Sequence, residues 1–145
     1  MSRREQLLSI VDEDLGRDLA DYQCMLGMMA ELHQHLVRRD VVQVNAINAQ
    51  LSTLIVSIGR RAARRSKILV AFRLGVDGGG VLRLFDYFAP SRRAQLHEIW
   101  ITLGERVRLC RQLNENNGRL LSMQGELLDR VLGRSSEHIY TPSLI

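Results

Sequence analysis

From Ser91 to Gly133 the positions that face a partner recur at steps of four and three without losing phase. They are Leu96, Trp100, Leu103, Val107, Cys110, Asn114, Asn117, Leu121, Gln124, Leu128 and Val131. A 3.5-residue period held this long predicts one long helix with a partner along its whole side. Such a helix would run roughly 65 Å at 1.5 Å per residue. Two earlier segments repeat the pattern. The first, about 3–38, has the seam Leu8, Val11, Leu15, Asp18, Tyr22, Met25, Met29, Leu32 and Leu36. The second, about 41–74, presents Val41, Val44, Leu51, Ile55, Ile58, Ala62, Leu69 and Phe72. Arg38-Arg39-Asp40 separates them, with Asp40 placed to cap the second helix. Gly75 to Gly80 reads as a flexible linker and 81–88 as a short apolar segment of one or two helical turns. Ser91 is the expected N-cap of the long helix, about 91–133. Residues 134–145 are polar, lack periodicity and read as a mobile tail. The fold class is all-α: an antiparallel helical hairpin plus a long C-terminal helix, an elongated, coiled-coil-like bundle forming one domain over 1–145.

Charge sets the register of the hairpin. Asp12, Glu13, Asp14, Asp18 and Asp21 cluster on the first helix, whereas no acidic residue occurs between Val41 and Gly75. That second segment carries Arg60, Arg61, Arg64, Arg65, Lys67 and Arg73. Folding the chain back about residue 39 puts Asp14 level with Arg64, Asp18 with Arg60, and Asp12 near Ser66 and Lys67. Exposed pairs of this kind contribute roughly 0–1 kcal/mol each, so they specify direction more than stability.

The same pattern argues against nucleic acid as a partner. The net charge is +4, and Gly-Arg-Arg-Ala-Ala-Arg-Arg-Ser-Lys is a basic run. A phosphate-binding face needs cations open to solvent, and here the facing arm supplies acids at the same height. Enzymatic chemistry is not indicated either. His33 and His35 are two residues apart and point about 200° apart on a helix, so they cannot share a metal. Gly78 to Gly80 lacks the Lys-Ser/Thr of a phosphate loop. No nucleophile has an identifiable base and acid beside it, so no cofactor or metal is expected. Cys24 and Cys110 lack ligand or redox spacing and read as reduced core residues. No apolar h-region follows Met-Ser-Arg-Arg-Glu-Gln, and no uninterrupted apolar run has membrane-spanning length. The expected location is the cytoplasm, without membrane insertion.

The middle of the long seam is polar. Either Asn114 and Asn117 fix register by hydrogen bonding across the core, or the seam opens there and, with Gly118, leaves room for another polypeptide. A second apolar row, Leu113, Leu120 and Leu127, widens the stripe beyond what one partner helix covers. That row serves a guest helix, or packs on the first helix or a second copy of the chain.

The run Trp100-x-x-Leu103, Cys110-x-x-x-Asn114-x-x-Asn117-Gly118-x-Leu120-Leu121 resembles the signature of the FlgN family. Arg65-x-x-Ile68-Leu69, Leu74-Gly75 and the proline-led start at Pro90 are similar too, so the likeness spans nearly the whole chain. The resemblance implies an export chaperone for the hook–filament junction proteins FlgK and FlgL. Such a protein keeps its cargo from aggregating and delivers it to the flagellar type III export gate and its ATPase components, without cofactor or hydrolysis. It places the substrate face over Asn114, Asn117, Gly118, Leu120, Leu121, Leu127 and Leu128, to which the two apolar rows add Leu113 and Val131. It also matches Tyr140 to a tail tyrosine that docks on the gate, although Thr141 follows here where the family usually has glycine. The alternatives are a coiled-coil adaptor that forms homo-oligomers through the long helix, and a chaperone of another flagellar cargo.

Overall fold

The computed structural model describes the backbone of residues 1–132 and the side chains of residues 1–120. Among these residues there are four helices and no strand: α1 (Arg3–Arg38), α2 (Val41–Ala71), α3 (Gly78–Phe85) and α4 (Pro90–Leu132). The chain divides into two compact units, one of residues 1–23 and 56–106, the other of residues 24–55 and 107 onward. α1, α2 and α4 each contribute to both.

In the first unit α1 and α2 run antiparallel. Val11 and Leu15 of α1, Ile58 and Leu69 of α2, and Leu96 and Leu103 of α4 are buried as the apolar core. α3 differs from the linker the glycines suggest. Its first turn is Gly78 to Gly80, and the Asp77 carboxylate caps it by accepting from the Gly80 N–H at 2.8 Å. Burial of Val81, Leu84 and Phe85 offsets the entropy lost by three ordered glycines. Gly80 is required by a close approach: a Cβ there would lie 1.7 Å from the carbonyl oxygen of Gly75. Phe85 meets His97 edge-to-face at 5.3 Å and Trp100 at 6.5 Å. Arg93 of α4 donates to the carbonyls of Phe85, Asp86 and Phe88, tying the turn after α3 to α4.

α2 stops at Ala71, three residues before the expected Leu74. Arg73 adopts a left-handed backbone (φ 58°), with its N–H on the Val70 carbonyl and that of Leu74 on the Leu69 carbonyl. This is a Schellman closure. α1 closes the same way through Arg39 (φ 57°). Asp40 then caps α2, accepting from the Gln43 N–H at 3.3 Å. α4 begins at Pro90 rather than being capped by Ser91. Proline suits the first helical position because its missing N–H would have no partner there, and the Ala89 carbonyl takes the first helical bond, from Arg93.

In the second unit the core is Met25, Met29, Leu32 and Leu36 of α1, Ile47 and Leu51 of α2, and Cys110 of α4. Val41 is exposed and Ile47 is buried in its stead as the first fully enclosed residue of that face. Cys24 is exposed, not a core residue: it sits between the seam positions Tyr22 and Met25 and is rotated outward. By length and composition alone α2 would also pass as a membrane span, with a mean hydropathy of 1.4 over an 18-residue window that is 17% buried. The inner side of α2 is nevertheless committed to the chain's own core through Ile47, Leu51, Ile58, Ile68 and Leu69.

Candidate protein-binding face

The centre of the charge block in the first unit is buried rather than solvated. Asp18 and Asp14 are 2% and 4% exposed. Asp18 accepts from Arg61 Nε at 2.5 Å and from Arg65 Nη1 at 3.0 Å, and Arg61 also donates to Asp21. Arg64 holds Asp14 through two bonds of 2.7 and 2.6 Å. Asp14 thus meets its expected partner, whereas Asp18 takes Arg61 instead of Arg60, because Arg61 is the one turned inward. Asp12 pairs with Arg92 of α4 rather than reaching Lys67. Burial alone would lower the Arg61 pKa, but hydrogen bonds and attraction from Asp18 and Asp21 outweigh it and hold it above the ordinary value. Hydrogen bonding to Asp14 and to Asp12 likewise raises Arg64 and Arg92. Arg65 also lies over the Trp100 ring, 5.7 Å from its centroid. These contacts lock the helices together and leave none of the inward-facing arginines for a ligand.

In the second unit the polar seam resolves into two behaviours. Asn117 is 1% exposed. Its Nδ2 donates to the Met29 carbonyl at 3.2 Å and its Oδ1 lies 3.0 Å from His33 Nδ1. Because the amide nitrogen is spent on a carbonyl, the oxygen must accept, which assigns the proton to His33 Nδ1. Asn117 therefore fixes α4 on α1, the register role. Gly118 beside it is also buried, and Asn114 is half-buried. The apolar row behaves differently. Leu113 and Leu120 are only half-buried, and Leu109, one turn before Leu113, is 49% exposed. The three leave a leucine edge along α4 that the chain's own helices cover in part.

Leu109 and the His33–Asn117 bond were not expected from the sequence. Leu109 lies four residues before Leu113, so extending the second row by one helical turn would have found it. His33 lies just beside the α1 seam, next to Leu32, and nothing local links it to a residue 84 positions away. Of the remaining expected face, Leu121, Leu127, Leu128 and Val131 lie on α4 with side chains outside the described residues, and Tyr140 lies outside them altogether. Among the described residues no group of three or more His, Cys, Asp or Glu is placed to hold a metal. Burial raises the Cys110 thiol to about 11, an unreactive state.

A family model described as FlgN protein matches residues 4–138. No curated protein and no solved structure matches the chain.

Proposed function

Since the chain belongs to the FlgN family of flagellar export chaperones, we propose that it receives hook–filament junction proteins of the FlgK and FlgL type along α4. It keeps their terminal segments from aggregating in the cytoplasm and carries them to the export gate. The observation that supports this reading is the leucine edge Leu109, Leu113 and Leu120, on a helix otherwise well supported by its own chain.

Binding proceeds by helix docking. A disordered end of the cargo folds as an amphipathic helix and lays its apolar face on this edge, continuing toward Leu121, Leu127, Leu128 and Val131. Full burial of a leucine contributes about 1.5–3 kcal/mol, so Leu109 adds roughly half of that, and Leu113 and Leu120, already mostly covered, roughly a third or less each. Ordering the guest costs about 2–5 kcal/mol. The described edge thus offsets only part of the ordering, and the later leucines supply the rest. Such moderate affinity suits a carrier that must release its load without hydrolysis. Asn117 serves by keeping α4 in register on α1, so that the leucines keep facing outward. Tyr140 contributes contact with the gate.

Titration calorimetry of a junction protein against Leu113→Glu/Leu120→Glu tests the reading. Both positions are only half-buried, so the variant keeps its helical circular dichroism and loses at least tenfold in affinity. Undiminished binding by a folded variant removes this edge from the cargo site. Sedimentation of the unmodified chain separates the alternative adaptor role: a stable dimer that the same substitutions dissolve, with no affinity for cargo, would favour self-association.

A further inference from the structure

α2 carries a second stripe, facing outward in the first unit, that neither the core nor the reading above uses. Val56, Arg60, Ala63, Lys67 and Val70 follow one another at steps of four, three, four and three, and all five are exposed. This is the spacing at which one helix meets another along a seam. Apolar and cationic positions alternate along it. Arg61, Arg64 and Arg65 are engaged by Asp14, Asp18 and Asp21, whereas Arg60 and Lys67 have no ion pair among the described residues.

We propose that this stripe docks an acidic amphipathic helix of a second protein. Its small apolar residues would close on Val56, Ala63 and Val70, and its carboxylates would meet Arg60 and Lys67. The choice of occupant follows from charge. A second copy of α2 brings no carboxylate, since the helix contains no acidic residue. An anionic membrane gains only about 1 kcal/mol per cation, and two cations with valine and alanine between them make a weak anchor. Nucleic acid would find only two unpaired cations with valine and alanine between them, and no aromatic ring on the stripe to stack on a base. An acidic helix alone satisfies both halves of the pattern.

The test replaces Ala63 in the full-length chain with the photo-crosslinking residue p-benzoylphenylalanine. Cells of the source organism are irradiated, and the joined peptide is sequenced by mass spectrometry. The expected adduct is a segment of another protein with Asp or Glu flanking a heptad of apolar residues. Its yield should fall at least tenfold in Arg60→Glu/Lys67→Glu and persist in Arg60→Lys. If the charge-reversed chain loses its helical signal, Arg60→Gln/Lys67→Gln takes its place. An adduct to any part of another copy of the chain, to lipid, to nucleic acid or to a segment without acidic residues overturns the proposal, as does no adduct. Cargo binding in vitro by the same variants should be unchanged, which keeps this result separate from that on α4.

Discussion

Asp18 offers the most quantitative test of how the helices are held. Its carboxylate is nearly inaccessible and accepts from two guanidinium groups, of which Arg61 retains Asp21 and Arg65 retains the Trp100 face. Asp18→Ala removes one charge and leaves two cations in a poorly solvated place. Breaking a buried pair by deleting one partner costs about 3–5 kcal/mol, mostly as the desolvation of the charge left behind. For a chain of this size, about 2–4 °C of melting temperature accompany each kcal/mol, so the midpoint should fall by about 6–20 °C. Glu13→Ala is the comparison. Glu13 is bonded to Arg17 four residues on, with both side chains more than 60% exposed, and its loss should cost under about 0.5 kcal/mol. Chemical denaturation by urea, followed by circular dichroism, reads both. An Asp18→Ala loss below about 1 kcal/mol would refute the reasoning, since the aspartate would then be as well solvated as Glu13. Replacing Asp18 and Arg61 together by apolar residues should recover part of the loss, because fewer charges remain stranded.

Other expectations follow from the same structure. Gly80→Ala places a methyl group against the Gly75 carbonyl and should cost at least about 2 kcal/mol, whereas Gly78→Ala meets nothing within 4 Å and should stabilise α3 by about 0.5–1 kcal/mol in the same urea titration. Cys24 should react with a maleimide at the rate of an exposed thiol while Cys110 reacts only as the fold opens; equal rates would contradict the burial of Cys110. A folded-state pKa raised from 9.0 to about 11 means that the stability tied to the neutral thiol is intact below pH 9 and lost as pH rises through about 11. Two units correspond to roughly 2–3 kcal/mol, a loss that Cys110→Ala should not show between those pH values.

Periodicity alone found the α1 seam, because from Val11 to Leu36 every predicted position is buried. Charge found the hairpin direction, since opposite charges at matching heights require antiparallel arms. Height is a one-dimensional quantity, and azimuth is not contained in it. Arg60 and Arg61 differ by about 100° around the helix, which is why Asp18 reached the second and not the first. Asp12 went to Arg92 because a third helix competes, and a two-helix comparison has no place for it. The first turn of α3, ahead of the short helical segment expected at 81–88, was hidden for a related reason. Three glycines predict a linker locally, and only the Asp77 cap and the enclosure of Phe85 near His97 and Trp100 make them helical. In the candidate site, the stripe that the sequence widens includes Leu113 and Leu120, which the chain covers in part. The role of Asn117 was one of two open readings until its partners Met29 and His33 were in place.

The claim on which the function turns is that α4 offers its leucine edge to a cargo helix. Hydrogen–deuterium exchange of the chain with and without a hook–filament junction protein measures this without altering a residue. Backbone amides of α4 from Leu109 onward should slow on binding, in proportion to cargo occupancy, while those of α3 stay unchanged. Cargo bound at saturation with no slowing anywhere in that part of α4 would contradict the account.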